Sequence, residues 1–359
     1  MLNRDRLDAI VNNMKKLGLT QILVSDDNAV YYLTGRKIDA MERCGALLIK
    51  DDGEVHAFMN RLFCFEEMDG MTMHYYSDDE NPYKIIAENL NSGAVGFDKN
   101  WASKHTISIL AERNDIFPVI GSDAVDMSMA LKDEEEKEKL RHAAKINDMA
   151  MDFAVSNIDE KLDEKALSDK IEEFFEKNGA SRDIQLQYVC YGKNAAEPHH
   201  GAVAGEKLNE GDVVLFDLWA PINGYWCDMT RTVFYKKCSD RHREIYNIVK
   251  NAQQVAIDTV KPGVKMHYID AAARKVISDA GYGEYFITRT GHGVGMTVHE
   301  PPEAKAGNDT VAEVGMCFSI EPGIYIKDDI GVRIEDLVIV TEDGCEVLTK
   351  YPKELIIVK

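Results

Sequence analysis

Apolar positions first recur at helical spacing: Leu7, Ile10, Val11, Met14 and Leu17 form one face of a segment over 4–17. Short apolar runs of strand length follow in QILVSD, GALLIK, VHAFM and AVGFD, interleaved with helical stretches near 82–91 and 102–113. Strands alternating with helices predict a small α/β domain over residues 1–125. Residues 126–131 read as a linker, because KDEEEKEKLRHAAKINDMAMDFAV then opens a long helix with acidic side chains in its first turn, where they complement the helix dipole. A second domain over 132–359 follows.

The second domain contains an internal echo. Its first half predicts helices at about 133–156 and 163–178, a strand in GDVVLFD, a turn at Pro221–Gly224 and a return strand in CDMTRTVF. Its second half predicts helices at 240–261, ended by Pro262-Gly263, and at 266–280, then GMCFSIE, a turn and VRIEDLVIV. Polar spacing repeats as well: Gly211 stands six before Asp217 and Gly315 six before Glu321, and each return strand carries a second acid, Asp228 or Glu335. Neighbouring antiparallel strands can present such residues on one face, so each hairpin offers a pair of carboxylates.

Hydrophobic residues make up 45% and charged residues 29% of the chain, as in a folded globular protein. The net charge of −20 repels phosphate backbones and anionic lipid surfaces, which argues against nucleic acid or membrane partners. No apolar run reaches the roughly 18 residues of a membrane span, and the first helix lacks the apolar core of a signal peptide. The expectation is a soluble, cytoplasmic protein. Seven cysteines, at 44, 64, 190, 227, 238, 317 and 345, are scattered without CxxC spacing, so they read as reduced, mostly buried thiols.

Asp217 follows the apolar run VVLF and Glu321 follows MCFSI, which puts both acids at the ends of strands that ought to be buried. A buried carboxylate must be paired, protonated or bound to a metal. Arg231 and Arg333, three and two residues from Asp228 and Glu335, could neutralise those acids as plain salt bridges. Four quasi-symmetric acids together with a histidine favour a metal instead. His292 lies between two glycines in TRTGHGVGMTVHEPP, where backbone can come close to an ion or substrate, and His299 follows seven residues on. Pro198-His199-His200-Gly201 precedes the first carboxylate hairpin as His292 precedes the second. Four oxygen ligands and one imidazole suit Mn²⁺, Co²⁺, Fe²⁺ or Zn²⁺. Two ions bridged by carboxylates would acidify a water and polarise a carbonyl, so the implied chemistry is hydrolysis.

Together, FDLW (Asp217), YWCDMTRT (Asp228), TGHGVG (His292), SIEPGIY (Glu321) and VRIED (Glu335) resemble the superfamily of methionine aminopeptidase, prolidase, aminopeptidase P and creatinase. NAVYYLTG in the first domain resembles the amino-terminal domain of the prolidase and aminopeptidase P branch. The likeness spans nearly the whole chain. It implies an α+β protein in which a creatinase-type α/β domain precedes a pita-bread catalytic domain of two quasi-repeated halves. It also implies two divalent metal ions, Mn²⁺ ahead of Co²⁺, Zn²⁺ or Fe²⁺. Asp217 would chelate one, His292 and Glu321 the other, and Asp228 and Glu335 would bridge them.

The reaction implied is attack of a metal-bridging hydroxide on the peptide bond before proline, in a dipeptide or in a longer peptide with proline second. Glu321 would also act as general base, and His299 would hydrogen-bond the substrate and oxyanion. The family's other substrate-contacting histidine stands 17 residues before its first metal aspartate, which selects His200, although His199 better fits the spacing from Gly192. Arg333 and Tyr325 match family positions that support substrate binding, and the first domain implies a homodimer. Trp219 departs from the family's usual glycine two residues after the first metal aspartate, and Cys227 from a small polar residue; both bear on substrate scope. The rival readings are a binding-only module of the same fold and a hydrolase or lyase acting on a non-peptide small molecule.

Overall fold

The computed structural model describes residues 2–38, 40–63, 65–181 and 187–359; Cys64, counted above among the thiols, lies outside them. The chain divides after Met129 into two compact units. In the first, α1 (Arg4–Lys16) buries Leu7, Ile10, Val11 and Met14, the face that its periodicity predicts. Then come β1 (Gln21–Val24), α2 (Asp27–Thr34), β2 (Ala46–Lys50), β3 (Val55–Asn60), β4 (Thr72–Tyr76), α3 (Pro82–Asn89), β5 (Gly93–Phe97), α4 (Ser103–Glu112), β6 (Ile116–Ile120) and α5 (Ser122–Ala130). The six strands form one mixed sheet in the order β4-β3-β2-β1-β5-β6. NAVYYLTG is helix α2, capped by the Asp26 carboxylate and ended by Gly35 at φ 67°. Residues 126–131, expected as a linker, are helical as far as Ala130. Val125 and Met129, four apart on one helical face, are buried, and burying that stripe favours helix over an open connection.

The second unit begins with α6 (Glu134–Ser156), started by a reciprocal Asp133/Glu136 cap, and α7 (Glu164–Lys177), capped by Asp163. β7 (Tyr188–Tyr191), β8 (Val213–Ile222) and β9 (Tyr225–Tyr235) follow. Asn223 and Gly224 both take positive φ, 52° and 81°, as a two-residue hairpin turn between β8 and β9 demands. Along β8 the period of two divides the burial. Val214, Phe216 and Leu218 pack with Ala150, Leu167 and Phe175 of the helices, whereas Val213 and Leu215 join the core of the second half. Asp217 and Trp219 share the Val213 face, so they point into the interior between the halves.

That second half contains α8 (Asp240–Thr259), α9 (Met266–Asp279), β10 (Gly291–Gly293), β11 (Glu300–Ala304), β12 (Cys317–Ile320), β13 (Gly323–Ile326), β14 (Ile330–Arg333), β15 (Asp336–Val340), β16 (Cys345–Val347) and β17 (Ile357–Val358). The sheets run β17-β9-β8-β7 and β11-β10-β12-β15-β16, with β13-β14 a separate ribbon. The echo between the halves is physical. The Gly211 N–H donates to Tyr235 O and the Gly315 N–H to Val340 O, each at 2.9 Å, so the same bond closes the base of each hairpin. Both glycines sit at φ near 95°, 94° and 96°, where a side chain would be strained. The second hairpin is longer than the sequence suggests, because the β13-β14 ribbon is inserted between β12 and β15 and takes Val332 and Arg333. Among the described residues no helix is long and apolar enough to cross a membrane. The six described cysteines are free, and Cys44, Cys190, Cys227 and Cys317 are buried.

Candidate metal centre

Strand register builds one wall of the centre. Tyr188 pairs with Asp217, Asp217 with Thr230, and Trp219 with Asp228. Paired residues project to the same face, so Asp217 and Asp228 are diagonal neighbours with Trp219 beside them. In the second half Glu321 directly follows β12 and Glu335 directly precedes β15, and the Ile320–Asp336 pairing brings the two acids across from each other. His292 lies on β10, squeezed between β11 and β12. A Cβ at Gly291 would meet Ser319 O at 1.8 Å, and one at Gly293 would meet Pro301 O at 2.3 Å. The glycines flanking His292 thus serve strand approach, which fixes where the imidazole emerges.

All five predicted ligands, Asp217, Asp228, His292, Glu321 and Glu335, line one cavity of about 640 Å³. Ligand atoms of Asp228, His292 and Glu335 lie within 4.8 Å of one another. His292 Nε2 is 3.2 Å from Glu321 Oε1 and 3.6 Å from Asp228 Oδ2. Asp217 Oδ2 is held at 2.7 Å by Arg333 Nη2. Thr230 Oγ1 lies 3.1 Å from Asp217 Oδ1 and donates to Glu335 Oε2 at 2.7 Å.

The charge balance is lopsided. Arg231, weighed above as a partner for Asp228, turns instead to Asp336 at 2.7 Å, and Arg333 takes Asp217 rather than Glu335. Among the described residues, Asp228 and Glu335 have no arginine partner. Burial, reinforced by the neighbouring acids, pushes both well above the ordinary carboxylate range. Asp217 is raised by burial too, with Arg333 opposing. Burial works to raise Glu321, but His292, together with Arg333 and Arg289, outweighs it and holds that group down at about 2. Glu335 is 1% exposed, and its Oε1 meets no hydrogen-bond donor among the described residues. A buried carboxylate oxygen with no donor, among four acids and an imidazole, is a donor set suited to hard divalent ions.

The two flanking histidines separate. His199 lines the cavity, with its ring 6.2 Å from that of Tyr188. His200, expected to face the substrate, is turned away and sits 3.1 Å from the buried Glu164 carboxylate. His299 lines the cavity edge-to-face with His292 at 4.2 Å; partial burial, and then His292, push it down to about 4. Arg333 reaches the cavity, whereas Tyr325 stands behind it, its hydroxyl 2.9 Å from Arg333 Nη1. Trp219 forms cavity wall, packed edge-to-face on Tyr188 at 4.5 Å. Sequence reasoning missed Tyr188, Thr288, Arg289 and Val298, which also line the cavity, and Thr230, which links two of the acids. Only Thr230 left a signal, by standing two residues from Asp228 on the same strand face.

The model of metallopeptidase family M24 matches residues 138–342, and that of the creatinase/prolidase N-terminal domain matches residues 6–128. An Xaa-Pro dipeptidase of Lactobacillus delbrueckii subsp. lactis is 39% identical, covering 97% of this chain and 98% of its own. A prolidase from Thermococcus sibiricus superposes with a TM-score of 0.91 at 34% identity, over 100% of both chains. A dipeptidase from Mycobacterium ulcerans superposes with a TM-score of 0.93 at 31% identity, over 99% of this chain and 97% of its own. With a creatinase/prolidase N-terminal domain ahead of a catalytic unit whose acids and histidine converge in one cavity, the chain belongs to metallopeptidase family M24 and is a peptidase.

Proposed function

We propose that this peptidase is an Xaa-Pro dipeptidase that works with two divalent metal ions, Mn²⁺ being the first to test. The observation that carries the reading is the buried, donorless Glu335 Oε1 inside the cluster of four acids and His292. Asp217, Asp228, His292, Glu321 and Glu335 would hold the ions. When bound, the ions supply a water of lowered pKa as nucleophile and polarise the scissile carbonyl.

The remaining chemistry falls to side chains of this chain. Glu321 accepts a proton from the attacking water at its carboxylate and returns it to the leaving nitrogen. His299, held down at about 4, is neutral at pH 7 and donates a ring N–H to the developing oxyanion. His199, in place of His200, contacts the substrate from the Tyr188 side. Arg333 fixes Asp217 from behind, and Tyr325 fixes Arg333. The relatives named above for Xaa-Pro dipeptides and dipeptides support this choice of substrate over longer peptides. A homodimer, implied by the first domain's resemblance, is checked by light scattering.

The test is an assay of the Mn²⁺-loaded protein on Xaa-Pro dipeptides and Xaa-Pro-Yaa peptides, with chelator and Asp228→Ala controls. Cleavage of the dipeptides, lost in both controls, is expected. Metal-dependent cleavage of only the longer peptides would replace the dipeptidase by an aminopeptidase P type enzyme, and no cleavage of either would end the proline-specific reading.

A further inference from the structure

Glu164, in the first turn of α7, is a fully buried carboxylate that no step above uses. Four donors meet its two oxygens. Tyr191 N–H and Asn194 Nδ2 reach Oε1 at 2.7 and 2.9 Å, and His200 Nε2 and Val203 N–H reach Oε2 at 3.1 Å each. These donors bracket the segment 191–203, so one side chain ties both ends of that loop to a helix. His200 is also pinned through its backbone: its N–H donates to Glu197 O at 3.1 Å, and its carbonyl accepts from Cys190 Sγ at 3.4 Å. Just ahead of the pair, Pro198 O accepts from Arg333 Nη1 at 3.1 Å. With the loop held before and after, anchoring the ring of His200 leaves His199 as the histidine presented to the cavity.

We propose that Glu164 is a positioning residue that clamps His200 and thereby sets His199 in the substrate cavity. Its catalytic consequence rests on the peptidase reading; its structural consequence does not. A glutamine at 164 keeps one accepting oxygen but turns an NH₂ group towards two donors, so half of the clamp must open.

The experiment compares wild type, Glu164→Gln, His199→Ala and the double variant. In the Zn²⁺-loaded protein, the His199 ring signal in a ¹H–¹³C histidine spectrum, assigned by its loss in His199→Ala, is expected to shift in Glu164→Gln. In the Mn²⁺-loaded protein, Glu164→Gln is expected to lower kcat/KM on an Xaa-Pro dipeptide about 10-fold, and by less than about 2-fold where His199 is already alanine. An unmoved His199 signal, or an equal factor in both backgrounds, overturns the proposal. If wild type cleaves no Xaa-Pro peptide while the His199 signal moves, the functional reading fails and the clamp stands. Should Glu164→Gln not fold, His200→Ala opens the same contact from the loop side and is read by the same two measurements.

Discussion

Replacing Glu335 by glutamine should stabilise the metal-free protein and shrink the stabilisation that metal adds. Glu335 is 1% exposed, with Oε2 accepting from Thr230 at 2.7 Å and Oε1 facing no donor among the described residues. Burial, then Glu321 and Asp217, raise it well above the ordinary range. In metal-free protein a glutamine keeps the Thr230 bond, avoids the cost of either protonating the buried acid or burying its charge, and offers an NH₂ group in place of Oε1. Relief of that kind is worth about 1–3 kcal/mol, scaled from the cost of uncompensated buried charge. For a unit of this size that corresponds to a rise in Tm of roughly 2–12 °C. Metal works the other way. An ion at 100 times its Kd contributes about 2.7 kcal/mol of stability, and a hundredfold weaker site would retain only about 0.4 kcal/mol. Calorimetry in chelator and in excess Mn²⁺ should therefore show Glu335→Gln melting above wild type without metal, but gaining much less from it. The reasoning is refuted if the variant melts below wild type in chelator, or if it keeps the full metal-induced rise.

The same raised acids set a pH dependence. Folded Asp228 and Glu335 hold protons that the unfolded chain releases above its ordinary values near 4. Their stabilising contribution is therefore complete below those values and is lost as pH rises towards the folded ones. Melting in chelator should fall as pH rises above the ordinary carboxylate values, while the increment from added metal grows, since ions displace those protons; a rising chelator curve would contradict this. Trp219→Leu should raise kcat/KM for a bulky relative to a small residue before proline by about 10-fold, read as a ratio across a dipeptide series, with the metal-induced rise in Tm unchanged. Asp336→Asn leaves the buried Arg231 charge without its carboxylate and should cost about 3–5 kcal/mol, seen as a lower urea midpoint at unchanged slope.

The sequence by itself determined the helices of the second unit to within a residue or two, the paired-acid hairpins and the five candidate ligands. Helical period, strand alternation and the repeated Gly-to-acid spacing are local properties, and each survives whatever the chain later packs against. Tertiary structure decided the partners. Arg333 finds Asp217 at a separation of 116 residues, and Arg231 finds Asp336 across 105, so neither neutralises the acid nearest to it in the chain. Glu164, 36 residues before His200, ties down that one of two adjacent histidines, and the other lines the cavity. Trp219, turned inward by its place on β8, packs edge-to-face on Tyr188, which β7 brings beside it. Such contacts depend on which distant donor or ring arrives within hydrogen-bonding or packing distance, and no local spacing encodes that.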